Sequence, residues 1–145
     1  MRLVLALAAF ALAGATSYAA ETRAGAGDTR GADTPGTDTH VTAMLRGLDP
    51  ATRFDQACGI EAMNRIKKEV AHYRPDRAVT DAVSEAKVSG DTMEGSGGAF
   101  RSAGKWYQFS FTCKASSDRM KIMFFSYKIG AAIPEAKWDE YGLWH

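Results

Sequence analysis

Cys58 and Cys113 are the only two cysteines of the sequence, some 55 residues apart. A dithiol redox centre needs closely spaced or activated thiols, and no Cys-x-x-Cys occurs. The chemistry open to this pair is therefore a structural disulfide or two separate buried thiols. The histidines are His40, His72 and His145, and none has a second histidine or cysteine two to four residues on, as a zinc site would. His72 reads instead as a residue near a helix C-terminus, where the helix dipole favours it. Gly95-Ser96-Gly97-Gly98 lacks the lysine and following helix of a phosphate-binding loop, and Ser96 does not sit in a Gly-x-Ser-x-Gly elbow. Asp139 and Glu140 belong to a polar helix and read as a solvated face. No catalytic residue, metal ligand or cofactor is assigned on these patterns.

The environment of the cysteines follows from the first residues. Arg2 is a positive n-region, Leu3 to Ala15 is an uncharged apolar run, and Ser17-Tyr18-Ala19 supplies the small residues of a signal peptidase site. The run is short for a bilayer, which needs about 20 apolar residues. Residues 1–19 are thus expected to be a signal peptide. Residues 20–40 are Gly, Thr, Ala and Asp without a large apolar side chain, a composition that cannot offset its ordering entropy, so a disordered leader is expected. Residues 41–145 are the length of one domain. Removing Arg2 leaves equal numbers of basic and acidic residues, and the folded part keeps only a slight positive excess. That is too small and dispersed to imply a nucleic-acid partner or an anionic membrane surface. No later stretch is apolar enough to span a membrane.

An exported chain reaches an oxidising compartment, which favours a Cys58–Cys113 disulfide over free thiols. Closing such a loop stabilises a fold by about 4 kcal/mol on the chain-entropy model.

The elements that must position these sulfurs can be read from periodicity. Val41 to Arg46 suits one short helical turn stopped by Gly47. Asp49-Pro50 is an N-cap followed by proline at the first helical position. Phe54, Cys58, Ala62, Ile66 and Val70 then recur every fourth residue, one apolar stripe on a helix to about Ala71, with Gly59 a place for a kink. Arg74-Pro75-Asp76 ends it. Ala78 to Val88 is compatible with helix or strand; we read a strand ending near Ser89-Gly90-Asp91, with a further strand from about Thr92. The Gly95–Gly98 cluster reads as a loop or bulge. Ala99–Ser102, Ala103-Gly104 and Lys105–Cys113 form a hairpin with a two-residue turn, pairing Phe100 with Tyr107 and Arg101 with Trp106. Met120 to Ile129 is a third strand. Ile133 to Tyr141 suits a short helix with Trp138 and Tyr141 on one side.

Alternation puts Phe100, Tyr107, Phe109, Phe111 and Cys113 on one face of the sheet. A disulfide to Cys58 then requires the helical stripe to lie across that face. The fold class is α+β: an N-terminal helix on an antiparallel β-meander, a short C-terminal helix and one disulfide. The other face carries Arg101 and Trp106 in cation–π reach. A four-residue second hairpin loop would add Phe125 and Tyr127, with Met123, to that face. Two outcomes stay open: an aromatic groove for a partner, or a cover made by Trp138, Tyr141 and Trp144.

The blocks LDPATRFDQACGIEAMNRI, YRPDRAV, GGAFRSAGKWYQFSFTC and SYKIGAAIPEAKWDEYGLW, in that order, resemble the exported bacterial family called domain of unknown function 930. The spacing of Cys58 and Cys113 fits the family pattern, and Gly59 departs from the more polar residue expected there. The resemblance implies a small secreted or periplasmic protein and carries no catalytic residue. Taken with the residues, it gives a periplasmic or secreted, non-enzymatic binding or accessory module, using Arg101, Trp106, Phe125 and Tyr127 against an envelope protein, peptide or glycan. The alternative is a small envelope-acting hydrolase using loop carboxylates around Asp76, Asp91 and Asp118.

Overall fold

The structure is a computed structural model that describes residues 37–145. The expected signal peptide and most of the expected leader lie outside the described residues. Helix α1 spans Thr37–Arg46 and begins inside the stretch read as leader. The expected turn from Val41 was too short to persist as a helix by itself, and the added residues supply a further turn. Gly47 and Leu48 donate to the carbonyls of Met44 and Leu45 and close α1.

Helix α2 spans Pro50–Glu69. The Asp49 carboxylate accepts from the Ala51 and Thr52 N–H groups at 3.0 and 3.1 Å, which satisfies orphan donors of the first turn. The helix runs unbroken through Gly59, contrary to the expected kink. A Cβ at Gly59 would lie 3.8 Å from the Ala78 carbonyl oxygen, an ordinary contact. Gly59→Ala is therefore expected to raise stability by about 0.5–1 kcal/mol through reduced unfolded-state entropy, measured as a higher denaturant midpoint.

Five strands follow: β1 (Pro75–Val79), β2 (Lys87–Ser89), β3 (Thr92–Ser102), β4 (Lys105–Ala115) and β5 (Ile122–Ala132). They make one antiparallel sheet in the order β1-β3-β4-β5, with β2 paired to the other end of β3. The β3–β4 hairpin has the expected register, Phe100 opposite Tyr107 and Arg101 opposite Trp106. Ala103 and Gly104 both have positive φ, 51° and 72°, as a two-residue turn matched to strand twist requires.

The middle of the chain differs from expectation. Residues 78–88 are not one strand: β1 starts earlier, and residues 80–86 form a loop before the short β2. That loop is fastened rather than free, with the Thr80 hydroxyl donating to the Asp55 carboxylate and Val83 N–H to the Gly97 carbonyl. The glycine cluster, read as a loop or bulge, lies inside β3 with a register shift between Gly95 and Gly98. The cross-strand rings explain the glycines. A Cβ at Gly98 would sit 2.7 Å from the Phe109 ring, and one at Gly97 would collide with the Ser84 backbone nitrogen. Glycine here marks close approach of another chain segment to a strand. Gly97→Ala is expected to cost about 1–3 kcal/mol, read as a lowered unfolding midpoint.

Two cores result. The first lies between α2 and the inner face of the sheet: Phe54, Cys58, Ala62 and Ile66 meet Met93, Phe100, Phe109, Phe111, Cys113 and Phe125. The Cys58–Cys113 disulfide joins helix to sheet inside it, with both residues fully buried. The second lies on the outer face, where Ala99 and Trp106 meet Ile133, Trp138 and Leu143. The expected C-terminal helix is two 3-10 turns, Glu135–Lys137 and Asp139–Tyr141. Gly142 at φ 62° ends the second turn, and Leu143 donates back to the Trp138 carbonyl at 2.8 Å, which swings the last residues over Trp106.

Candidate functional site at the free edge of the sheet

The outer face of the sheet is closed at one end. Trp106 is 0% exposed, and its indole N–H donates to the Trp144 carbonyl at 2.9 Å. The Trp138 indole N–H donates to Ile133, whose own N–H donates to the Trp106 carbonyl. The C-terminal segment is thus hydrogen-bonded down onto this face, and no aromatic groove exists around Trp106. Arg101 does lie over Trp106, 5.9 Å from the ring centroid. Its guanidinium is also engaged by Asp76, with Nε and an NH2 donating to the two carboxylate oxygens at 3.0 and 2.8 Å. Asp76 is the extra residue where the β1–β3 register shifts between Pro75 and Arg77, and such a bulge re-aims a side chain.

Phe125 and Tyr127 are not on the outer face. Phe125 pairs with Cys113 and Tyr127 with Phe111, so both share the inner face with the first core. Six residues, 116–121, separate the Ala115 and Ile122 partners, and Met123 is an extra residue between the Ile122 and Phe124 pairings. Relative to a four-residue loop the register moves by an odd number of positions, which turns every side chain to the other face. The four residues expected to form one surface are therefore divided: Arg101 in an ion pair, Trp106 in the outer core, Phe125 in the inner core, and Tyr127 half-buried beside α2.

What remains open is β5. Among the described residues it pairs only with β4. An open hollow of about 1060 Å³ is lined by Glu94, Ser96, Ser110, Thr112, Phe124, Ser126 and Lys128 of the outer face. Phe111, Phe125 and Tyr127 of the inner face line it too, with Arg65 and Glu69 of α2. Residues of both faces can border one hollow only where the sheet ends. Thr112 is cross-strand from Ser126, and Ser110 from Lys128, so the outer part is a row of hydroxyls with Lys128 and the half-exposed Phe124.

The direction of the backbone groups on that edge follows from parity. The Trp106 carbonyl and the Ser116 N–H bond toward the β5 side, while the Ala115 N–H bonds toward Asp91 before β3. The register shifts put extra residues into β3 and β5 and none into β4, so alternation along β4 is regular. Even-numbered residues of β4 thus face β5, and their partners Phe124, Ser126 and Lys128 face β4. Phe125, Tyr127 and Ile129 direct their N–H and C=O away from it.

On the inner side of this edge the Tyr127 hydroxyl donates to Glu69 Oε2 at 2.9 Å. Burial, and then the bond to Glu69, push the phenol well above its usual range, so it stays a donor at physiological pH. Arg65 donates to Glu61 at 2.8 Å and to Glu69 at 3.2 Å. This cluster holds the end of α2 against β5.

Of the loop carboxylates, Asp91 and Asp118 belong to loops at one end of the sheet, joined by the Arg119 bond to Gly90, and Asp76 lies apart. Asp76 sits beside Arg101 and Asp91 just before Thr92, near opposite ends of β3, which at about 3.3 Å per residue is about 30 Å apart. The Asp76 carboxyl is held below the usual carboxylate range first by its bonds from Arg101. Asp118 is held low first by the Ser116 hydroxyl, then by the Met120 N–H, opposite to what a general acid requires. Both groups lose stabilising bonds on protonation. Their contribution is present above the unfolded carboxylate value, about 3.9, and is lost as pH falls through the lower folded value. Both groups face solvent, which screens them, so thermal midpoints are expected to fall modestly below about pH 4, and by less in Asp76→Asn.

The family model described as Domain of Unknown Function (DUF930) matches residues 45–143. The chain belongs to the DUF930 family. No curated protein and no solved structure matches it. The DUF930 match takes in both cysteines, both cores and all of β5. Sequence reasoning about this DUF930 domain missed the free edge because two side chains that mark it, Met123 and Phe124, lie in and just after a bulge that alternation does not reveal. Their exposure, 66% and 47%, singles them out in the folded chain.

Proposed function

We propose that this protein is an exported, periplasmic or secreted, non-enzymatic binding module that takes an extended segment of a partner along the edge of β5. Export is supported by the reading of residues 1–19 as a cleaved signal peptide, with a leader to about residue 40, and by the Cys58–Cys113 disulfide, which persists in an oxidising compartment. The observation that carries the binding reading is the one-sided pairing of an 11-residue strand bordered by an open hollow. A strand added there gains main-chain hydrogen bonds from Phe125, Tyr127 and Ile129, and its alternate side chains meet Phe124, Ser126 and Lys128 on one face. Edge strands left open in this way are a hazard unless they are short, charged or in use.

The test is a selection of peptides on the exported protein, followed by binding to two proline variants. Proline removes an N–H, so it is tolerated on an edge strand where that N–H faces outward. Ile129→Pro is expected to keep the fold and lose peptide binding, whereas Lys128→Pro breaks a bond to β4 and lowers stability. Peptides that bind Ile129→Pro as well as the unaltered protein, or a selection that enriches none, would exclude strand addition at β5.

A further inference from the structure

The edges of the sheet are not alike. β1 opens on Pro75 and is bent by the bulge at Asp76, whose carboxylate accepts from Arg101. β2 is three residues long. Proline, a bulge and shortness are each ways of blunting an edge. β5 has 11 residues and no proline, and residues 124–129 keep a regular register with β4.

Lys128 is the one charged residue of β5. It is exposed and enters no ion pair among the described residues. The other lysines of the outer face stand nearer an acid. Lys87 is directly across from Glu94, and Lys114 is diagonal to it. Lys128 faces the Ser110 hydroxyl instead. Glu94 is on β3, two strands from β5, which at about 4.8 Å per strand is about 10 Å away. Glu69 belongs to the inner face, where it accepts from Tyr127 and Arg65. An acid therefore meets Lys128 at cross-strand distance on the outer face only from a strand added beyond β5. Phe124, four residues earlier, shares that face and is 47% exposed.

The chain itself does not supply this complement. β5 contains neither Asp nor Glu, so pairing with β5 of a second copy sets Lys128 against a neutral residue or another lysine. Residues 20–36 contain acids but no large apolar side chain to meet Phe124. Resting on strand addition at β5, we infer that the partner is a segment of a different protein with an acid across from Lys128. An apolar residue follows four positions later, across from Phe124. The order acid-x-x-x-apolar is that of an antiparallel addition, which continues the pairing of the whole sheet and is the more stable ladder.

The test is selection from a random peptide library on the protein and, separately, on Lys128→Glu. Peptides that bind Ile129→Pro equally well are set aside. The unaltered protein is expected to enrich Asp or Glu four residues before Phe, Tyr or Leu. Lys128→Glu is expected to enrich Lys or Arg in place of the acid. Exchanging the acid for lysine in a selected peptide should weaken binding about tenfold at low salt, and by less at high salt. The same exchange should strengthen binding to Lys128→Glu. Lys128 is exposed, and an unchanged thermal midpoint verifies that the variant folds. Peptides lost on Ile129→Pro but indifferent to Lys128→Glu, or selected in the order apolar-x-x-x-acid, overturn this motif and leave strand addition standing. Tighter binding of every such peptide by Lys128→Ser also overturns it, because the lysine then guards the edge. A selection without any peptide sensitive to Ile129→Pro overturns both readings.

Discussion

Trp106→Ala is expected to destabilise the protein by about 3–5 kcal/mol, the range for truncating a large aromatic in a packed core. The indole is fully buried between the outer sheet face and the C-terminal segment, where it meets Ile133, Trp138 and Leu143. Its N–H holds the Trp144 carbonyl, so the substitution also releases the last residues of the chain. A tryptophan presented to a partner would change stability by no more than about 0.5 kcal/mol on truncation. Equilibrium denaturation separates the two: a large fall in midpoint marks the core residue, and an unchanged midpoint would return Trp106 to the surface.

Loss of the disulfide has a comparable effect through a different route. Cys58 and Cys113 close a separation of 55 residues, and the Cys58→Ala/Cys113→Ala pair is expected to lose about 4 kcal/mol by freeing the unfolded chain. That is a large share of the roughly 5–15 kcal/mol by which domains are stable. Both residues are 0% exposed, so reductant is expected to reach the sulfurs only after unfolding. The matching measurement is reduction of the native protein against reduction in denaturant. Comparable rates would show that the bridge lies at the surface, outside the inner core.

Much of this architecture is legible in the sequence. The four-residue recurrence of Phe54, Cys58, Ala62 and Ile66 and the alternation of Phe109, Phe111 and Cys113 are local patterns, and the cysteine pair ties them together. What alternation could not supply was register across bulges. Met123 and Asp76 are single extra residues, and each redirects its strand without leaving a composition signal. The glycines of β3, read as a loop or bulge, form the bulge inside a continuous strand. Composition left loop and bulge open, and the close approach of the Phe109 and Phe111 rings on the neighbouring strand is what requires glycine there. The candidate surface failed where it depended on the second hairpin's register. The alternative that the C-terminal segment covers Trp106 was readable from Trp138, Tyr141 and Trp144, but composition alone did not decide between cover and groove.

The binding reading reduces to which backbone groups of β5 are free, and amide hydrogen exchange reports that directly. In the protein without a partner, the amides of Phe124, Ser126 and Lys128 should be protected, and those of Phe125, Tyr127 and Ile129 should exchange far faster. Slow exchange at all six positions would mean that the edge is already covered, and would contradict a strand waiting for a partner.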